Sequence, residues 1–266
     1  MIARPVPVYY SEAPSRVKRR AIDVKSGNGC DKQTTPMVDV ASNYQTILQR
    51  IGEAATKAGR NPDNIKLLGA AKSQSIEAVR AAIAAGVKLI GENYVQEAQA
   101  KKREIHESTE WHFIGHLQRN KAKAAVEIFD MIQSLDNVAL ARELDKEGKR
   151  RNRTVRALVE VNLAGEASKS GIAADRIKDL LRAAGDFQYL RIEGLMAVPP
   201  FCENPMDVRP YFQRLKELRE RLREGCSANV DLKELSMGMT HDYAVAVEEG
   251  ATIVRIGTAL FGPRPG

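Results

Sequence analysis

The chain has 266 residues, 43% of them hydrophobic and only 5% aromatic, and a formal net charge of +7. That length is enough for one large core, and an α/β barrel commonly needs this much chain for a single domain. Residues 1–36 carry +4 of the charge and the rest only +3, which argues against a nucleic-acid partner, while Cys30, Cys202 and Cys226 are odd in number and widely spaced, which excludes a disulfide scaffold or zinc ribbon and points to a reducing compartment.

Residues 1–36 are rich in Pro, Ser, Gly and charge with no sustained period. They read as a basic, disordered N-terminal extension. No apolar run follows the early cations, and no stretch approaches a membrane span, so a cytoplasmic location without a membrane partner is expected. The ordered domain, 37–266, opens with a helix: Val40, Tyr44, Ile47, Leu48, Ile51, Ala55 and Ala58 recur at helical spacing behind Asp39, a cap residue, and Gly59 ends the run. A strand over Ile65–Ala71 follows, then Ser75 as a cap and a helix bearing Ile76, Val79, Ala82 and Ile83 before Gly86.

That strand, helix and glycine unit recurs. Further strands are expected at Val87–Gly91, Trp111–Ile114, Met131–Leu135, Ala157–Asn162, Leu190–Met196, Glu234–Ser236 and Thr252–Ile256, separated by helical patterns. Eight short strands, seven intervening helices and one helix in front to fill the last gap are the count for a closed parallel (β/α)8 barrel of TIM type. A doubly wound open sheet is the alternative, since periodicity does not demonstrate closure.

In a barrel the functional groups collect at the C-terminal strand ends. Lys72 stands there after the first strand, and Glu92 and Asn93 after the second. A lysine at a strand end is ordinarily a surface charge, but one delivered to a barrel mouth can lose its proton by desolvation and act as an amine nucleophile. The segments after the last two strands read SMGMT (Ser236–Thr240, with Gly238) and RIGT (Arg255–Thr258, with Gly257). Their small residues let backbone amides approach an anion such as phosphate. An amine and a phosphate seat facing one another define the two ends of pyridoxal 5'-phosphate (PLP).

The blocks GAAKSQ around Lys72, GENYVQEAQAK from Gly91, WHFIGHLQRNK from Trp111, VNLAGEASKSGI from Val161, GLMAVP from Gly194, LSMGMTHDY from Leu235 and VRIGTALFG from Val254 closely resemble the pyridoxal phosphate homeostasis proteins. That family is also called alanine racemase N-terminal-like or proline synthetase co-transcribed. The resemblance spans about Asp39 to Gly262. It implies a monomeric barrel like the first domain of alanine racemase, with PLP held as a Schiff base on Lys72. It further implies that Ser236, Gly257 and Thr258 hold the phosphate, that Arg255 faces the pyridine nitrogen, that Asn93 lies near the ring substituents, and that Lys169 takes part in cofactor exchange. Two departures are conservative: AAKSQS where many relatives have a valine-serine-lysine-threonine run, and Thr240 where serine is usual.

The chemistry favours a carrier over an enzyme. An arginine at the ring nitrogen does not readily yield a proton, so the ring is a weak electron sink. A racemase of this architecture takes its second acid or base from another domain, and the chain ends at Gly266, directly after the eighth strand, so no such domain is expected. The function implied is intracellular PLP homeostasis without turnover, passing PLP to apoenzymes. The alternatives are a single-domain PLP-dependent racemase and a Schiff-base aldolase. Among other motifs, His112 and His116 lack a third metal ligand nearby in sequence and read as packed or hydrogen-bonded histidines. GAAKS lacks the glycine pattern of a P-loop. Arg119, Lys121 and Lys123 read as a solvated helix face, and Trp111 as packing.

Overall fold

The computed structural model describes residues 38–166 and 170–263. The expected extension over 1–36 and the exchange residue Lys169 lie outside the described residues. Helix α1 (Val40–Lys57) starts where expected, with the Asp39 carboxylate accepting from the Ser42 amide at 2.9 Å, and buries Ile47, Ile51, Ala54 and Ala55. The strands are β1 (Lys66–Ala70), β2 (Leu89–Glu92), β3 (Glu110–Phe113), β4 (Met131–Leu135), β5 (Val155–Asn162), β6 (Ile172–Ala173), β7 (Leu190–Met196), β8 (Val230–Met239) and β9 (Ile253–Ile256). Between them run α2 (Ile76–Ala85), α3 (Val95–Glu104), α4 (Ala122–Ile128), α5 (Val138–Arg151), α6 (Ile177–Ala184), α7 (Arg209–Arg223) and α8 (Tyr243–Glu248), and α9 (Thr258–Phe261) follows β9.

All of these strands pair in parallel, in the order β4-β3-β2-β1-β9-β8-β7-β5, and β4 pairs with β5 to close the ring. The two-residue β6 adds to the end of β5 outside the ring. The barrel therefore has eight strands, and the open-sheet alternative is excluded. Local chemistry marks the unit boundaries: Ser75 caps α2 through the Ala78 amide at 3.2 Å, and Gly86 ends it at a φ of 117° that glycine adopts without a Cβ clash. The four-residue α9 is too short to cover the seam between β9 and β1, and α1 packs there against α8, α2 and α9.

The apolar residues fall into two sets. A large layer between strands and helices holds Trp111, Phe113, Phe212 and most of the aliphatic side chains. A small inner cluster, Leu68, Leu89, Met131, Leu158, Met196 and Ile253, fills the middle of the lumen. Side chains alternate across a strand, so the residues two places on from these, such as Gln133, Glu160 and Arg255, continue the lumen as a polar layer, while His112 of β3 pairs in register with Met131. The seventh barrel strand in sequence, β8, is much longer than the expected Glu234–Ser236. Its first half, Val230-Asp231-Leu232-Lys233, alternates buried and partly or fully exposed positions, a pattern that a search for continuous apolar runs passes over.

Strand packing is tightest at Gly194, where a Cβ would lie 2.1 Å from the Glu234 carbonyl oxygen on β8. Gly194→Ala is expected to cost roughly 3 kcal/mol, because backbone rather than a flexible side chain has to yield. A fall in the urea midpoint with an unchanged slope would verify it; an unchanged midpoint would refute it.

Candidate functional site

Lys72 follows β1 by two residues, and the alternation Lys66, Leu68, Ala70 places it on the lumen side of the rim. It is half-buried, and its Nζ lies 5.2 Å from the centroid of the Tyr94 ring. The next residue, Ser73, has a φ of 60°, a left-handed turn that costs a non-glycine residue about 1 kcal/mol. Two contacts from α3 hold this turn, and a third, to β2, fixes the lysine that makes one of them. The Glu97 carboxylate accepts from the Ser73 amide at 3.1 Å. Lys101 Nζ donates to the Ala71 carbonyl at 2.7 Å and to Glu92 Oε1 at 2.6 Å. Glu92 and Lys101 are both buried, and the second Glu92 oxygen has no hydrogen-bond partner. Burial pushes the Glu92 carboxyl upward, and Lys101 opposes it.

The loops after β8 and β9 form the neighbouring lip. Residue Gly69 of β1 pairs with Ile256 of β9, and a Cβ on Gly257 would sit in ordinary contact 3.6 Å from the Ala70 carbonyl. The end of β9 therefore lies directly beside the strand that carries Lys72. Thr240 Oγ1 accepts from the Ala259 amide at 3.3 Å, joining the two loops. Gly238 has a φ of 88° and no room for a Cβ, which would be 2.5 Å from Ala246; it serves the bend that brings Thr240 across. Asn93, half-buried at the end of β2, is crossed closely by the β3 loop, where a Cβ on Gly115 would come 2.4 Å from the Asn93 oxygen.

Below this rim lies Arg255, 4% exposed. Its NH1 donates to Ser236 Oγ at 2.7 Å and its NH2 to the Ala197 carbonyl at 2.9 Å. Burial lowers its pKa to about 10, with Glu160 and Asp242 opposing, so it remains a cation at neutral pH. Ser236 is fully buried, and its hydroxyl accepts from Arg255 and donates to Gln133 Oε1 at 2.6 Å. The structure thus brings Lys72, Asn93, Gly257 and Thr258 to one sector of the rim, with Gly238 shaping it, and turns the Ser236 hydroxyl inward to Arg255.

Glu160, on β5, is 8% exposed and makes no hydrogen bond or ion pair among the described residues. Its pKa is raised to about 7, first by burial and then by Asp136, while Arg255 pulls it down. A carboxyl raised on folding stabilises the protein fully below its unfolded pKa and loses that contribution as pH rises through 7. Glu160→Gln is therefore expected to match the parent near pH 4 and to exceed it at pH 8 by on the order of 3 kcal/mol. Chemical denaturation at the two pH values tests this, and equal gains at both would contradict it.

Sequence reasoning passed over Glu160, Gln133, Lys101 and Tyr94. The first two were reachable by counting back in twos from the rim along β5 and β4. The Lys101 contact was not, since nothing in a charged helix distinguishes the one lysine that turns inward. The helix-face cations expected at Arg119 and Lys121 are exposed, while Lys121 also borders a cavity of about 420 Å³ beside the mouth, lined by Asn93, Tyr94, Phe113 and His116.

A family profile described as alanine racemase, N-terminal domain, matches residues 42–265. The chain is 46% identical over 228 residues to the pyridoxal phosphate homeostasis protein of Aquifex aeolicus, covering 85% of this chain and 99% of that one. It is 41% identical over 229 residues to the protein of the same name from Pseudomonas aeruginosa, covering 86% and 97%. Among solved structures, PipY of Synechococcus elongatus with PLP bound superposes with a TM-score of 0.74 at 32% identity, over 84% of this chain and all of that one. Alanine racemase from Corynebacterium glutamicum, at 16% identity and a TM-score of 0.65 over 85% of this chain and 61% of that one, shares the fold. The closed barrel and the agreement along nearly the whole described length lead to one conclusion: the chain belongs to the pyridoxal phosphate homeostasis protein family.

Proposed function

We propose that the barrel mouth binds PLP, covalently as a Schiff base on Lys72, and that the protein buffers this cofactor in the cytoplasm as a monomer and delivers it to apoenzymes without turnover of its own. The observation that carries this reading is the placement of Lys72 beside the glycine-rich lip of β8 and β9, with one buried guanidinium beneath both. The donor set fits the cofactor: an amine for its aldehyde, the amides of Gly257 and Thr258 for its phosphate, and Arg255 for its ring nitrogen. Gly257 leaves the lip open, since a Cβ there would meet β1 only at ordinary contact distance. When bound, PLP supplies an electrophilic carbon and an electron-accepting ring.

The chain's own residues explain retention better than turnover. The Lys101 grip on the Ala71 carbonyl and the Ser73 turn fix the backbone that presents Lys72. Arg255 stays protonated and donates, so it gives the ring nitrogen no proton to hold. Ser236 supports Arg255, and its proposed phosphate role falls to Thr240, whose hydroxyl lies at the joined loops.

Borohydride treatment of the PLP-loaded protein followed by peptide mapping tests the reading. The label is expected on the peptide containing Lys72, and label on another lysine would overturn it. Racemase-type turnover is a second reading favoured by one observation, the unpartnered Glu160 carboxyl in the same lumen layer as Arg255. Deuterium wash-in at the α-carbon of added amino acids separates the two. A carrier gives only the protein-free rate; a racemase gives incorporation that Glu160→Gln removes.

A further inference from the structure

Beneath Arg255 a line of hydrogen bonds runs through the barrel to its opposite end. Arg255 NH1 donates to Ser236 Oγ at 2.7 Å, Ser236 Oγ donates to Gln133 Oε1 at 2.6 Å, and Gln133 Nε2 lies 2.8 Å from His112 Nδ1. His112 Nε2 lies 3.3 Å from Glu110 Oε2, which also accepts from Arg156 NH1 at 3.1 Å. Ser236, Gln133 and His112 are each at most 1% exposed. Glu110 and Arg156 border a cavity of about 1070 Å³ at the N-terminal mouth, which also reaches His112. The line therefore joins the proposed cofactor end to the far face of the barrel.

Its direction follows from what each group can donate. A guanidinium only donates, so Ser236 accepts from Arg255 and spends its single proton on Gln133 Oε1. The Gln133 carbonyl is then the acceptor, and its NH2 points at His112 Nδ1, which has to be a bare lone pair. At the other end Glu110 is acceptor-only: its pKa is held down to about 2, first by the hydrogen bond from His112 and also by Arg156. Its partner, His112 Nε2, therefore carries the proton. Reversing the Gln133 amide would leave the Ser236 proton without this acceptor in a buried site and would require a proton on Nδ1. The charged groups that share the cavity with the imidazole are Glu110 from its own strand, Arg156 from β5, Lys66 from β1, Lys88 ahead of β2, Asp130 ahead of β4 and Asp63 ahead of β1.

We infer that His112, Gln133 and Ser236 are positioning residues that form a one-directional relay, with His112 neutral and protonated on Nε2, which holds the Arg255 guanidinium in the orientation it presents to the ligand. The relay explains why a serine of the glycine-rich loop faces inward and why a glutamine and a histidine occupy the lumen of an otherwise aliphatic middle. That the ligand is PLP rests on the proposed function; the protonation pattern does not.

The test has two arms on the full chain. Nitrogen-15 spectra of the PLP-free protein are expected to show His112 Nδ1 unprotonated and Nε2 protonated. Gln133→Glu, which replaces the donor to Nδ1 with an acceptor, is expected to place a proton on Nδ1. In the second arm, PLP affinity and the absorption maximum of the bound cofactor are compared for parent, Gln133→Leu, Ser236→Ala and Ser236→Thr. The leucine and alanine variants are expected to bind about tenfold more weakly with a displaced maximum, and threonine, which keeps the hydroxyl, to restore both. A protonated Nδ1 in the parent, or unchanged affinity and spectrum in folded Gln133→Leu, would overturn the relay. Absence of PLP binding by the parent would remove the proposed function instead and leave the nitrogen spectra to decide the relay.

Discussion

Lys72→Ala is expected to abolish the borohydride-stable label and to weaken PLP retention by about a hundredfold or more, since the remaining amides and guanidinium hold the cofactor only non-covalently. The substitution removes a half-buried side chain at the rim, so the fold should change by less than about 1 kcal/mol. Lys72→Arg keeps the charge near Tyr94 without a nucleophilic amine and is expected to behave like alanine. The aldehyde-linked absorption band and the mass of the reduced peptide are the measurements. A label that persists in either variant would assign attachment to another lysine.

The largest expected effect on stability lies one layer away. Lys101→Met leaves Glu92 buried with neither oxygen satisfied and releases the Ala71 carbonyl. Removing one partner of a buried pair typically costs about 3–5 kcal/mol. The loss should depend on pH in a defined sense. Burial already raises the Glu92 pKa, and without Lys101 it rises further. The variant should then be least stable at high pH and recover as the carboxyl protonates on acidification. Urea unfolding at pH 5 and pH 8 would show it, and a loss independent of pH would mean that packing, not charge, is responsible. Glu92→Leu combined with Lys101→Met removes both charges and should regain much of the stability, while the Ser73 turn remains without one of its anchors.

The barrel was legible because short apolar runs and glycine-terminated helices repeat as units, and the same count led to Lys72 at the rim. The limits have physical causes. β8 begins four residues before the expected Glu234 because its outer half alternates with Asp231 and Lys233. Ser236 could be placed at a glycine-rich loop, but its hydroxyl direction depends on Gln133, more than a hundred residues away. Glu160 and Lys101 look like ordinary charges in sequence, and only closure of the ring removes them from water. No spacing rule reports the neighbours that a side chain meets across a lumen.

The seam between β1 and β9 has one more consequence. The strand that leads to Lys72 is the first of the ring to leave the ribosome and the strand feeding the proposed anion seat is the last, so the two halves of the proposed pocket exist together only after nearly all of the domain has been synthesised. On the proposed function, a nascent chain would expose Lys72 with nothing beside it to select a phosphorylated aldehyde. Under that reading, cofactor capture is tied to completion of the barrel, and fragments released early would carry the amine without the discrimination.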